Sequence, residues 1–231
     1  MDKYNVYQDM SRRTGGEIYL GIVGPVRTGK STFIKRFMEL VVIPEMSDDN
    51  EKVRTIDELP QSADGKTIMT TEPKFIPKEA AVIHFSNQET GKIRLIDCVG
   101  YLVPEAVGAI EEEKERMVKT PWSEEEIPFS KAAEIGTSKV IREHSNLGLI
   151  ITTDGSFGDI SAVNFEEALQ KTVMECEKAG KPFLILVNTS RPDSQETIQF
   201  TKRLEAQYGK TVMAVNCKTM DREDVFRIME Q

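Results

Sequence analysis

The chain has 231 residues, which at roughly 150 residues per domain predicts one large domain or one domain with an appendage. Its 39% hydrophobic and 29% charged residues, with 15 glycines and 10 prolines, are those of an ordinary globular protein and exclude fibrous, collagen-like and disordered classes. A net charge of −8 disfavours phosphate backbones and anionic lipid as bulk partners, so no nucleic-acid binding is expected.

In chain order, Ile18–Gly24 (IYLGIVG) reads as a buried strand and Lys30–Val41 as the helix after it. Pro44 to Pro77 is long, polar and punctuated by proline, which predicts a functional loop and directs the search for a switch there. Ala80–Ser86 and Lys92–Cys98 flank a polar turn ending at Gly91, which predicts a hairpin and one antiparallel strand. Residues 102–145 read as a charged, helical insertion, broken at Thr120-Pro-Trp-Ser and at Pro128. Its last part keeps helical spacing through Phe129, Ala133, Ile135, Gly136, Val140 and Ile141, and should pack on the sheet.

Leu147–Thr153 and Phe183–Thr189 are the most hydrophobic strands and belong at the centre. Helices are predicted over Phe165–Ala179 and Ser194–Tyr208, the latter capped by Gly209, with a final strand at Thr211–Asn216 and a helix opening at Asp221. That last helix ends with the sequence, which is expected of a piece of a longer chain. Alternating strands and helices predict an α/β fold with a mostly parallel, doubly wound sheet carrying one antiparallel strand. Three widely spaced cysteines without metal-ligand spacing fit a reducing, cytoplasmic setting, and no apolar run approaches the roughly 20 residues a membrane span needs.

Gly24-Pro-Val-Arg-Thr-Gly29-Lys30-Ser31 matches GxxxxGK[ST], directly after a predicted strand and before a predicted helix. In that setting the glycines let the backbone curl around phosphate, with Arg27, Thr28 and Thr32 on the same loop and helix start. Lys30 reaches the terminal phosphates and Ser31 ligates Mg²⁺. Asp97-Cys-Val-Gly100 ends a strand, where the carboxylate would stand beside the metal and the Gly100 amide near the γ-phosphate. Thr70 and Thr71 lie in the long loop; a hydroxyl there, Thr71 as a second metal ligand, would couple loop order to nucleotide state.

Guanine readers among phosphate-loop proteins place an Asp in an NKxD sequence to accept from the base, but here the sequence is Asn188-Thr189-Ser190-Arg191. Arginine only donates, so adenine becomes the favoured base, with Asn188 and Asn216 either lining its pocket or capping strand ends. Tyr101 follows the DxxG sequence where Ras-like enzymes carry a water-orienting Gln, which predicts slow turnover that accelerates on self-association. His84 reads as structural, Trp122 as an anchor of the insertion, and Asp154 either as turn-forming or as a residue approaching the nucleotide. A GTPase switch and a nucleotide-binding scaffold without turnover stay open on these grounds.

Beyond the phosphate loop (GPVRTGKST), the segments TIMTTEPKF, IDCVGY, TPWSEEEIPFSKAAEIGT, LIITTDGSFG and LVNTSRP resemble the stage IV sporulation protein A family over essentially the whole chain. These are spore-coat morphogenetic ATPases of endospore-forming bacteria, in the translation-factor-related, GTPase-like class of phosphate-loop proteins. The resemblance implies ATP and Mg²⁺ as ligands, and hydrolysis that drives polymerisation into the basement layer of the coat, in the mother-cell cytoplasm at the forespore surface. It implies Lys30 as the phosphate-loop lysine, Asp97 as the metal-side acid, and Thr70 and Thr71 as sensor threonines. It also implies further domains beyond this chain, to which contacts with coat proteins and a small membrane-anchoring peptide belong.

Overall fold

A computed structural model describes residues 16–60, 72–84, 90–104, 106, 110–111 and 114–231. Strand β1 (Glu17–Val23) leads into helix α1 (Lys30–Phe37), which continues as a π-helical turn over Met38–Val42. Helix α2 (Asp49–Glu58) precedes strands β2 (Lys74–His84) and β3 (Thr90–Asp97). Two small hairpins, β4–β5 (Ile110–Glu111, Lys114–Glu115) and β6–β7 (Met117–Thr120, Ser123–Pro128), lead to helix α3 (Phe129–Lys139). The remainder alternates strictly: β8 (Leu147–Thr153), α4 (Glu166–Lys178), β9 (Phe183–Asn188), α5 (Gln195–Tyr208), β10 (Val212–Val215) and α6 (Arg222–Met229).

The main sheet has the order β10-β9-β8-β1-β3-β2, parallel throughout except for the antiparallel β2–β3 pair. Apolar runs predict buried strands, and Leu149, Ile150 and Ile151 of β8 are each at most 1% exposed. On one face, Phe33, Ile34 and Phe37 of α1 and Val225 and Ile228 of α6 pack against Ile22, Leu95 and Leu149. On the other, Val140 and Ile141 after α3, Leu169 and Val173 of α4, and Leu204 of α5 pack against Val23, Ile96 and Ile185. Helices on both faces of a mostly parallel sheet make the predicted α/β architecture. Among the described residues no helix is long and apolar enough to cross a membrane.

Two expectations are corrected. The stretch from Pro44 to Pro77 is not all loop, because α2 occupies residues 49–58 and β2 starts at Lys74, six residues before the strand predicted from Ala80. Asp48 caps the helix by accepting from the Asn50 and Glu51 amides, and only Thr55 of it is buried. The insertion, in turn, is helical only from Phe129 onward. Before that its described residues form hairpins, Val118 pairing with Ile127 and Thr120 with Ser123, so Pro121-Trp122 is a hairpin turn and not an interruption between helices. Pro128 sits at the α3 N-cap, and of the six residues predicted to pack, all but half-buried Ile135 are buried.

Candidate functional site

The register of the sheet assembles the site. Ile22 of β1 lies opposite Asp97 of β3, and Thr153 of β8 opposite Asn188 of β9, so four connections leave the sheet along one edge. In open α/β sheets that carboxyl edge is where ligands bind.

The connection from β1 to α1 is a closely wound loop. Gly24 (φ 129°), Arg27 (φ 63°) and Gly29 (φ 95°) take left-handed backbone conformations. A Cβ at Gly24 would lie 2.3 Å from the Ile151 carbonyl oxygen, so only glycine fits there against β8. Buried Thr28 fastens the loop on itself through its Oγ1, which donates to the Pro25 carbonyl at 3.0 Å, whereas Arg27 is exposed. Across the loop, the Val26 amide donates to the Tyr101 carbonyl at 2.9 Å.

Gly29 caps α1 without a side-chain hydrogen bond, and the first turn carries no acidic residue. Helices α3 and α4 likewise lack a side-chain cap, whereas α2, α5 and α6 are capped by Asp48, Ser194 and Asp221. The positive end of the α1 dipole is therefore suited to an anion.

Lys30 is 5% exposed, and its Nζ donates to the Pro25 carbonyl at 2.6 Å and more loosely to Gly24 at 3.4 Å. Burial pulls its pKa below the ordinary lysine value, against the opposing effect of Cys98 and Asp97. Asp97, at the end of β3, has its carboxyl raised to about 6, chiefly by burial, while Lys30 and the Cys98 amide act in the other direction. Its Oδ2 accepts from Ser31 Oγ at 3.5 Å, and its Oδ1 is enclosed without a hydrogen-bond partner. An enclosed carboxylate oxygen beside a hydroxyl is the donor set a hard cation such as Mg²⁺ takes, with phosphate oxygens and water completing its shell. Among the described residues there is no cluster of three His, Cys, Asp or Glu that would form an all-protein metal cage.

Gly100 (φ 93°) closes the opposite wall, with a Cβ there only 2.0 Å from the Gly24 carbonyl oxygen and 2.7 Å from Lys30 Nζ. Tyr101 is turned away. Its side chain lines a cleft of about 360 Å³ between α3 and α4, with Lys131, Ser138, Lys171 and Glu175. Thr32 is half-buried in the first turn of α1. Thr70 and Thr71 lie outside the described residues.

Asn188 is 7% exposed and bridges three elements. Its Nδ2 donates to the Thr28 carbonyl at 3.0 Å and its Oδ1 accepts from the Cys217 amide at 3.0 Å, tying the phosphate-loop candidate to the ends of β9 and β10. The amide thus bonds to protein main chain, in keeping with the strand-end role its position suggests. Asn216 accepts the Lys218 amide on its Oδ1 at 3.0 Å in a local turn after β10. Arg191 is exposed. Asp154 does form a turn, its Oδ1 accepting the Ser156 amide at 3.0 Å, but it also accepts from Thr189 in the next loop and from Thr197 in the first turn of α5.

A mostly parallel α/β sheet, with a glycine-wound loop at its carboxyl edge that buries a lysine beside a strand-end aspartate, is the frame of a nucleotide-binding domain. The family model described as stage IV sporulation protein A, ATPase domain, matches residues 1–231. The chain belongs to that family.

Over 231 residues it is 51% identical to stage IV sporulation protein A of Bacillus subtilis (strain 168) and 49% identical to that of Bacillus anthracis, covering all of this chain and 47% of each relative. Over 226 residues it is 47% identical to the protein of the same name from Clostridioides difficile (strain 630), covering 98% of this chain and 46% of that one. The chain thus spans about half the length of these relatives.

Proposed function

We propose that the chain is one phosphate-loop domain of the translation-factor-related, GTPase-like class, residues 1–231 with an insertion at 102–145, which binds ATP with Mg²⁺ and hydrolyses it. In this reading turnover drives self-assembly of the longer protein into a spore-coat layer, in the mother-cell cytoplasm at the forespore surface. Contacts with coat proteins and a membrane-anchoring peptide are assigned to the part of the protein beyond this chain.

The observation that carries the reading is the juxtaposition of buried Lys30 with Ser31 and Asp97, the last two 3.5 Å apart, at the uncapped start of α1. Gly24 and Gly29 let the main chain curl around the triphosphate, with Arg27, Thr28 and Thr32 along the same turn and Gly100 facing them. Lys30 exchanges its bonds to the Pro25 and Gly24 carbonyls for phosphate oxygens, which a flexible ammonium does without moving the backbone. Ser31, Asp97 and Thr71 would hold the metal, and bound Mg²⁺ supplies charge neutralisation on the phosphates. Thr70 and Thr71 would orient the attacking water, since Tyr101 faces the α3–α4 cleft.

The NTSR sequence disfavours guanine because Arg191 cannot accept from it, and adenine is the base the site takes. Asn188 and Asn216 stand at the two strand ends that would flank the base, Asn188 acting through its tie to Thr28. Phosphate release from ATP and from GTP, for wild type and Lys30→Ala, with sedimentation to follow assembly, tests the reading. Release from ATP that depends on Lys30 and precedes assembly is expected. Release from GTP alone, or none from either, would overturn it.

A further inference from the structure

Two loops leave the carboxyl edge side by side, because Thr153 and Asn188 are register partners at the ends of β8 and β9. They are joined by more bonds than a turn requires. Asp154 Oδ2 accepts from Thr189 Oγ1 at 2.6 Å and from Thr197 Oγ1 at 3.3 Å, while Oδ1 accepts from the Ser156 amide at 3.0 Å. Thr189 Oγ1 in turn accepts the Arg191 amide at 3.1 Å, and Ser156 Oγ accepts the Ser190 amide at 2.8 Å. Thr189 and Thr197 are 0% and 1% exposed, so these hydroxyls have no water to turn to.

Burial pushes the Asp154 carboxyl up, yet its hydrogen bonds hold it below the ordinary carboxylate value, so the acceptor stays charged at neutral pH. Asn188, one residue before Thr189, is fastened to the Thr28 carbonyl of the phosphate loop at 3.0 Å. Residues 188–191 are therefore gripped at every position, and the exposed Arg191 leaves from a fixed main chain.

We infer that Asp154 is a positioning residue for base selection: through Thr189 it fixes the Thr189–Arg191 segment beside the phosphate loop, so that the site meets the purine edge in a single register. This rests on the assignment of a nucleotide site to this edge. It adds a residue that a lone Asp-Gly turn would not require.

The test measures dissociation constants for ATP, GTP and inorganic tripolyphosphate, all with Mg²⁺, on wild type, Asp154→Ala, Thr189→Val and Thr189→Ser. Thr189→Val removes the hydroxyl at nearly constant volume, and Thr189→Ser restores it. Asp154→Ala and Thr189→Val are expected to shift the GTP-to-ATP ratio of dissociation constants about tenfold towards unity, the effect of losing one anchoring hydrogen bond at a selective site. Tripolyphosphate binding should stay within about twofold of wild type, since the phosphate loop keeps its own anchors, and Thr189→Ser should keep the wild-type ratio. A ratio that does not move, or a parallel loss of all three ligands, overturns the inference and leaves the network as simple reinforcement of the loop. A wild type that prefers GTP overturns the adenine reading instead, and Asp154 then keeps its role only if the ratio moves towards unity in both variants and not in Thr189→Ser. A wild type that binds the two nucleotides equally overturns both.

Discussion

Replacing Gly100 with alanine tests the wall of the site with the least ambiguity. The added Cβ would lie 2.0 Å from the Gly24 carbonyl oxygen and 2.7 Å from Lys30 Nζ, at a backbone φ of 93°. An L-residue in that conformation costs about 1–2 kcal/mol before any contact is counted. Lys30 can swing aside, but Gly24 has little room to retreat, because it packs so closely on β8 that a Cβ built there would lie 2.3 Å from the Ile151 carbonyl oxygen. The overlap must be relieved by moving the phosphate loop or the end of β3, bringing the total to about 4 kcal/mol, in the range of severe core substitutions.

Gly158→Ala is the matched control: φ is 76° and nothing lies within 4 Å, so only the conformational cost of about 1 kcal/mol applies. With a urea dependence of about 3 kcal/mol per molar, Gly100→Ala should unfold more than 1 M earlier than wild type and Gly158→Ala about 0.3 M earlier. Gly100→Ala should also lose most of the stabilisation that the proposed function predicts from Mg²⁺ and ATP on wild type. Equal shifts for the two variants would refute the close approach of Gly100 to the phosphate loop.

Further predictions follow from the same geometry. Asp97 has its pKa raised by burial to about 6 from 3.8, so the ligand-free folded protein holds an extra proton in that window and this group's contribution to stability falls as pH rises through it. Mg²⁺ needs the ionised carboxylate, so nucleotide affinity in titrations should weaken as pH drops below about 6, and Asp97→Asn should abolish that pH dependence. Asn188→Ala leaves the buried Cys217 amide and Thr28 carbonyl without their partner and should cost about 2–4 kcal/mol in denaturant unfolding. Ser194→Ala removes the α5 cap on the Thr197 amide and should lower the melting temperature by about 2–4 °C without altering Lys30-dependent phosphate release.

The parts of the fold legible in the sequence are those set by local pattern. Leu147–Thr153 occupies the predicted strand residue for residue, and the helix ending at Tyr208 has Gly209 in the left-handed cap conformation it was expected to need. Helix α2 is missed because the prolines and polar residues around it mark a loop, although Val53 and Ile56 stand three positions apart as on a helix face; both are exposed, at 59% and 52%. The hairpin strands before α3 were hidden by their Glu and Lys content, although Val118 and Thr120 facing inward between exposed Met117 and Lys119 already follow the two-residue period of a strand.

At the site, the phosphate-loop spacing lies within one short segment and is visible as a motif. The bonds from Asn188 to Thr28 and Cys217, and from Asp154 to Thr189 and Thr197, join residues 160, 29, 35 and 43 positions apart. Only the strand order β10-β9-β8-β1 brings them together.

Isothermal titration of the folded protein with ATP in the presence of Mg²⁺ addresses the central claim most directly. One ATP bound per chain, lost in Lys30→Ala and displaced poorly by excess GTP, is the predicted result. No heat of binding from protein that retains its cooperative unfolding transition, or equal binding by Lys30→Ala, would contradict it.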